Sequence, residues 1–156
     1  MAPTVQTYMN PRLVYLREGD RLQVALRPLL DLGITAVPIL DDDHKPVGII
    51  SLRDLVDKRD GPPHMKEDVR TIPASATIDA AAKVLVDVNL HHLIVVDDDG
   101  LAVGMLSALD VLRALVGAEP KHPKAIERVR AQGSEVPTAG GTTDAGTSSG
   151  GGTKGG

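Results

Sequence analysis

The chain of 156 residues contains no cysteine, tryptophan or phenylalanine, and its only aromatic residues are Tyr8 and Tyr15. Without cysteine there is no disulfide, thiol nucleophile or thiolate metal ligand, which suits a reducing compartment, so we expect a cytoplasmic protein. Two tyrosines offer almost no surface on which nucleic-acid bases could stack. The formal net charge of -4 also provides no positive field for a phosphate backbone. We therefore expect no nucleic-acid partner.

Long apolar runs and catalytic motifs are also missing. No eighteen apolar residues run together, and the first ten residues, MAPTVQTYMN, lack the charged start and apolar stretch of a secretion signal. We find no H-E-x-x-H, G-x-S-x-G or phosphate-binding loop, and the five histidines lack zinc-ligand spacing. The sequence thus predicts neither a membrane span nor an enzyme. Its 42% apolar and 24% charged residues are typical of a globular domain.

The sequence does contain an internal repeat. A shift of 56 residues aligns 9–57 with 65–113 without a gap, and 11 of these 49 pairs are identical. Each copy has the pattern of a strand, a helix, two strands joined by a polar turn, and a second helix. The predicted fold class is therefore α+β, with α/β-like units, built from two β-α-β-β-α repeats at 7–58 and 67–117.

Several residues predict where the helices begin and end. Thr77 and Asp20 are suitable N-caps, and Gly33 and Asn89 suit a left-handed residue at the helix end. Pro28 removes a main-chain donor and predicts a kinked or shortened first helix. The predicted helices cover 21–32, 52–58, 78–88 and 108–116, and the predicted strands cover 14–16, 36–40, 47–50, 69–72, 92–96 and 102–106.

The remaining segments have a different composition. Residues 59–66 combine glycine and proline and are predicted to be a linker. The stretch 118–132 predicts a short basic helix. In 133–156, nine of 24 residues are glycine and most others are small, so this tail is predicted to be disordered.

Each repeat ends with the same short motif, GIISLRD at 48–54 and GMLSALD at 104–110. Ser-x-x-Asp at the start of a helix is typical of a capping arrangement, in which the hydroxyl and the carboxylate bind main-chain N–H groups. The same groups could bind a nucleotide, because a helix start offers donors to phosphate and an ionised aspartate accepts from ribose hydroxyls. The spacing leaves both interpretations open.

The duplicated unit, the strands VPILD and LIVVD, and both G-h-h-S-x-x-D segments resemble a tandem of cystathionine β-synthase (CBS) domains, a Bateman module, over about 7–117. This resemblance implies two repeats packed through their sheets around a pseudo-two-fold axis. It also implies a non-catalytic regulatory module that binds AMP, ADP, ATP or S-adenosylmethionine between the repeats. A homodimer through helical faces and a protein target are further implications, and no obligatory cofactor is expected.

The resemblance also implies roles for particular residues. Asp54 and Asp110 would contact ribose hydroxyls, while Ser51 and Ser107 would lie near phosphates. Main-chain groups that flank the first strand and lead into the second would hold the adenine. By position, these residues are Val14, Tyr15, Ile34 and Ala36 in the first repeat and Arg70, Thr71, Leu90 and His92 in the second.

The histidine pair His91-His92 has two interpretations. It is typical of simple surface and core alternation at the start of a strand. It also resembles the His-Arg-Leu run in the γ subunit of the AMP-activated protein kinase, which implies phosphate contacts with His92 as a weaker cation than arginine. The first repeat has Thr35 and Ala36 at these positions. This resemblance therefore implies two unequal sites, with weaker phosphate binding in the first repeat.

Two alternatives to ligand binding follow from the same residues. The triple aspartates 41–43 and 97–99 favour solvated turns over a divalent-ion site, because later ligands of a calcium loop do not follow. If the motif serines act only as caps, the chain is a ligand-free CBS-pair module for dimerisation or protein interaction. The missing arginine at the phosphate positions favours that alternative.

Overall fold

The computed structural model describes residues 2–57, 59 and 62–131. The tail predicted over 133–156 lies outside the described residues. The helices are α1 Val5–Tyr8, α2 Leu26–Leu32, α3 Leu52–Val56, α4 Ile78–Val88 and α5 Ala108–Leu115, with a 3-10 turn at Leu22–Ala25. The strands are β1 Arg12–Arg17, β2 Ala36–Leu40, β3 Pro46–Ser51, β4 Thr71–Pro73, β5 His92–Val96, β6 Ala102–Ser107 and β7 Glu127–Arg130.

Helix ends follow most of the local signals in the sequence. The Thr77 hydroxyl accepts the Ala80 N–H and starts α4, and Asn89 ends it at φ 55°. In the first repeat, the 3-10 turn and the seven-residue α2 replace one long helix, as the proline at position 28 predicts. The prediction that Asp20 caps this helix is wrong. Its carboxylate instead accepts the Arg17 N–H and pairs with Arg130.

Two sheets form, in the strand orders β3-β2-β1-β7 and β4-β5-β6. In both repeats, the first strand runs parallel to the second, and the second forms an antiparallel hairpin with the third. The two sheets pack face to face, and this confirms the α+β fold class of two tandem repeats. The buried layer between them consists of Leu13, Tyr15, Leu40, Ile94 and Ala102.

The triple aspartates form turns stabilised by local hydrogen bonds. One Asp41 oxygen accepts the N–H groups of Asp43 and Lys45, and Asp97 makes the equivalent pair of bonds in the second repeat. These contacts are the ones for which aspartate is common in turns. The turn interpretation of both segments is therefore confirmed.

The segment before the first strand of each repeat crosses to the other repeat. Asn10 exchanges two main-chain hydrogen bonds with Met105, of 2.8 and 3.0 Å, and Lys66 exchanges two with Ile49, of 2.9 and 3.0 Å. The two bridges are related by the same shift of 56 residues. The pseudo-two-fold relation between the repeats thus extends to these crossing segments.

The start of the chain consequently packs on the second repeat. Val5 is fully buried in the core that includes Ile72, Ile78 and Leu93, and its N–H donates to the Ala76 carbonyl at 2.8 Å. Burial of one such side chain contributes roughly 1.5–3 kcal/mol. The segment 3–10 therefore belongs by packing to the second half of the molecule, although it precedes the first half in sequence.

The crossing segments explain the glycine that opens each motif. A Cβ atom at Gly104 would lie 2.8 Å from the Asn10 carbonyl oxygen and 2.8 Å from the Met9 sulfur. At Gly48 the Met65 sulfur would be 2.6 Å away and the nearest main-chain oxygen 3.3 Å away. At Gly104 the close atom belongs to main chain from the other repeat, so glycine is needed there, whereas at Gly48 the shortest contact is with a flexible side chain.

Residues 118–131, which we call the C-terminal arm, differ from the prediction. Instead of a basic helix, the arm contains β7, which pairs in parallel with β1 from Arg12↔Glu127 to Tyr15↔Arg130. The free edge of β1 supplies unpaired main-chain donors and acceptors, and satisfying them outweighs the weak helix signal of a short segment that follows Pro123. Within the described ranges, no helix is both long and apolar enough to cross a membrane.

Candidate functional site

Both motif aspartates lie at helix starts and take part in capping. The Ser51 N–H donates to Asp54 Oδ2 at 2.9 Å, and the Asp54 N–H donates to the Ser51 hydroxyl at 3.1 Å. Ser107 and Asp110 form the same pair of bonds at 2.9 and 3.1 Å. The capping interpretation is therefore correct, and it accounts for only one oxygen of each carboxylate.

The second oxygen of each aspartate faces a basic side chain. Asp54 Oδ1 lies 3.4 Å from Lys66 Nζ, and Asp110 Oδ1 lies 3.0 Å from His122 Nε2. Sequence reasoning missed both partners. They are 56 residues apart, and each follows its aspartate by twelve positions, so extending the repeat alignment beyond residue 113 places Lys66 opposite His122.

The environment of Asp54 keeps it ionised at neutral pH. Burial raises the pKa of Asp54, but the Ser51 N–H and hydroxyl and the nearby Lys66 charge together hold this pKa below its usual value. A carboxylate in this state is purely a hydrogen-bond acceptor. It can therefore accept from two hydroxyl groups of a ligand once Lys66 moves aside.

A cavity of about 300 Å³ lies beside Asp54, and we call it the first pocket. Its lining is Arg53, Asp54, Asp57, Arg59, Pro62, Pro63, His64 and Lys66. The Arg59 guanidinium donates to both carboxylate oxygens of Asp57 and holds the pKa of Asp57 below its usual value. The prediction of a poor phosphate grip considered only Thr35 and Ala36, whereas α3 and the linker supply cationic groups to this pocket.

The surroundings of Asp110, which we call the second site, are more enclosed. The Asp110 side chain is 7% exposed and its partner His122 is 20% exposed. His92, at the start of β5, has its Nε2 3.0 Å from the Thr35 hydroxyl of the other repeat. Burial and the neighbouring His91 lower the pKa of His92, and the Asp110 charge only partly opposes them. His92 is thus neutral at pH 7 and is a weak partner for phosphate.

The predicted adenine-contacting residues fall into two groups. Ala36 and His92 lie directly opposite the motif serines in their hairpins, with registers Ala36↔Ser51 and His92↔Ser107. By contrast, Val14 and Tyr15 are buried, and their main chain pairs with β7. The structure therefore places Ala36 and His92 next to the motif serines, whereas β7 covers the main chain of Val14 and Tyr15.

The other predicted residues lie at the ends of helices or on the surface. Ile34 and Leu90 are half-buried, and their N–H groups donate to the Leu29 and Leu85 carbonyls at the ends of α2 and α4. The carbonyl of the exposed His91 accepts the Ala108 N–H, and this bond joins the start of α5 to the residue before β5. Arg70 and Thr71 are exposed in the second repeat.

Comparison with protein families gives two matches to one model. The CBS domain model matches residues 5–61 and again residues 64–117. The uncharacterized protein MJ1232 of Methanocaldococcus jannaschii is 33% identical over 94 residues, which is 57% of this chain and 31% of that protein. The chain spans between 29% and 49% of the length of four such relatives from M. jannaschii and Methanopyrus kandleri.

Solved structures share the architecture over most of the described residues. CBSX2 of Arabidopsis thaliana, solved in complex with AMP, is 27% identical, with a TM-score of 0.65, covering 74% of this chain and 97% of that one. The CBS domain pair of protein MJ0100, in complex with 5-methylthioadenosine and S-adenosyl-L-methionine, is 23% identical with a TM-score of 0.69. It covers 75% of this chain and 98% of that one, and its likeness concerns the fold.

Proposed function

The chain belongs to the CBS domain family, and we propose that its two repeats form a non-catalytic regulatory module that binds an adenosine-containing ligand. The AMP complex of CBSX2 supports this class of ligand. The cytoplasmic location expected from the sequence stays a prediction, as does the existence of a protein target.

The observation that carries the proposal is that the two oxygens of each motif aspartate make different contacts. One oxygen of Asp54 is fixed by Ser51, and the other faces the first pocket near Lys66. Capping thus orients the carboxylate while leaving half of its acceptor capacity for a ribose diol. A charged hydrogen bond of this kind contributes about 1.5–3 kcal/mol.

The charge of the first pocket indicates which adenosine ligand it suits. Arg53, Arg59 and Lys66 outnumber the two carboxylates of Asp54 and Asp57 in the lining. We infer a preference for AMP, ADP or ATP over the sulfonium cation S-adenosylmethionine, because phosphate would meet cationic donors there. Bound ligand regulates only if it has different affinities for two conformations of the module.

Isothermal titration of the full chain with AMP, ADP, ATP and S-adenosylmethionine tests this function. Asp54→Asn keeps an oxygen for the Ser51 N–H but presents an amide to the pocket, so we expect about tenfold weaker binding or more. Asp98→Asn, at an exposed turn position, is the matched control and should bind as the wild type does. Absence of heat with every ligand at millimolar concentration would contradict the proposal.

A ligand-free interaction module remains the second candidate function, and the helix surfaces favour it. Two repeat-equivalent pairs, Leu30 with Val86 and Val56 with Leu112, are all more than half exposed. Exposed apolar side chains at matching positions of both repeats are typical of an interface. We propose that these helix surfaces form the homodimer, and dimerisation without any nucleotide response would favour the second function.

A further inference from the structure

The C-terminal arm connects the second site to the edge of the first sheet. Near its start, the Tyr8 hydroxyl donates to the Ala118 carbonyl at 2.8 Å. His122 then contacts Asp110. Further on, the Arg128 side chain donates to the Ala102 carbonyl at 2.8 Å, and Arg130 forms an ion pair with Asp20 beyond β1. The arm is thus anchored on both sides of the histidine.

The contact made by His122 differs from its counterpart in the first repeat. The Lys66 side chain is 61% exposed and reaches Asp54 from solvent, so it can swing away without a change in the main chain. His122 is 20% exposed and sits between the anchors at Ala118 and β7. The imidazole of His122 is on a shorter side chain than the lysine ammonium. It therefore moves well away from the Asp110 carboxylate only if the main chain of the arm moves.

We propose that the C-terminal arm is an internal competitor for the second site. Its histidine occupies the same Asp110 oxygen that a ribose hydroxyl would need, so ligand enters only when the arm detaches. This inference rests on the proposed function, because Asp110 must be a ligand-binding group. The first pocket, where the exposed Lys66 faces Asp54, fills first, and the second site fills at higher ligand concentration.

Detachment of the arm has a structural consequence away from the site. Strand β7 follows His122 by only a few residues and covers the main chain of β1 from Arg12 to Tyr15. Ligand at the second site therefore weakens the pairing of β7, and the free edge of β1 becomes available for pairing with another strand. In this way, occupancy of one site is converted into exposure of a distant sheet edge.

The apparent affinity of a site that is open only part of the time is reduced by the open fraction. A variant that loosens the arm should therefore tighten binding at the second site. One buried side-chain hydrogen bond corresponds to about a fivefold to tenfold change in such an equilibrium. A substitution that loosens the arm at a position far from Asp110 should also tighten binding. By contrast, removing a side chain that only contacts the ligand should weaken binding.

The test uses the full chain with Asp54→Asn, so that AMP binding reports the second site. In this background, we expect His122→Ala to tighten AMP binding about fivefold to tenfold. Arg130→Ala breaks a partly exposed ion pair with Asp20 and should tighten binding about twofold to fivefold. Arg130 does not touch Asp110, and its effect therefore separates release of the arm from a local effect of His122. Lys121→Ala, an exposed neighbour in the arm, is the control and should leave the affinity unchanged.

Hydrogen exchange provides the second measurement. Saturating AMP should speed amide exchange in 127–131 of the wild type, and His122→Ala should speed it without ligand. Unchanged or weaker binding in both arm variants, or AMP at the second site with β7 still protected, would overturn the internal competitor while the proposed function stands. Absence of AMP binding in the wild type and every variant would overturn both proposals.

Discussion

The glycines of the two motifs allow a test of the crossing segments, because their surroundings differ. At Gly104, a new methyl group would lie 2.8 Å from the Asn10 carbonyl, which already accepts the Met105 N–H, while the Asn10 N–H donates back to the Met105 carbonyl. At Gly48, the closest atom is the sulfur of the flexible Met65, and the nearest main-chain oxygen is 3.3 Å away. The same substitution therefore meets rigid main chain in one repeat and a movable side chain in the other.

The expected magnitudes follow from this difference. Replacing glycine by alanine within a strand normally stabilises a protein by about 0.5–1 kcal/mol, while overpacking costs about 1–3 kcal/mol. For Gly104→Ala the clash dominates, and we expect a net loss of about 2 kcal/mol in the free energy of unfolding. For Gly48→Ala the two effects nearly cancel, since Met65 can change rotamer, and we expect a change within about 0.5 kcal/mol.

Urea unfolding of both variants measures the difference directly. A loss of 2 kcal/mol corresponds to a fall in Tm of about 4–8 °C for a chain of this size, so thermal unfolding provides an independent check. Equal losses in the two variants would show that the main-chain approach at Asn10 does not control the cost. A neutral Gly104→Ala variant would contradict the close approach itself.

Three further measurements test the electrostatics and the apolar face. The bond from Arg130 lowers the pKa of Asp20 below 3.8, so the stability lost in Arg130→Ala should be constant above about pH 5 and vanish as acid protonates Asp20. Because burial lowers the pKa of His92 below 6.5, the unfolded chain binds more protons there, and stability should fall below about pH 6.5, less steeply in His92→Gln. Leu112→Glu should shift the chain from dimer to monomer in light scattering, whereas the exposed Lys124→Glu should not, and a monomeric wild type would contradict the proposed interface.

The repeated elements were predictable because their signals are periodic and occur twice. The helix of the second repeat has a cap at Thr77, an apolar face and a left-handed end at Asn89, and all three lie within one continuous segment. The crossing segments carry no such pattern, since Asn10 and Lys66 each make a single bridge to a distant strand. A contact of this kind depends on how the two halves pack, which local periodicity does not report.

The strand β7 and the covered edge of β1 were missed for a related reason. ERVR has no clear alternation of apolar and polar residues, and only the unpaired edge of β1 makes a strand favourable there. The contact between Ser51 and Asp54 was predictable because the capping motif is local in sequence. The contacts of Lys66 and His122 with the motif carboxylates were missed because these residues return from later in the chain.

The exchange of first segments between the repeats has a consequence for the halves as separate molecules. A fragment that ends after α3 would keep 3–10 but lose Lys66 and the residues that cover its own β3, while 67–131 would lose Val5 from its core. A single repeat with its leading segment could cover its third strand and fill its core only by exchanging that segment with a second copy. In the full chain, the exchange takes place between two halves of one covalent molecule, so neither half needs a second copy for these contacts.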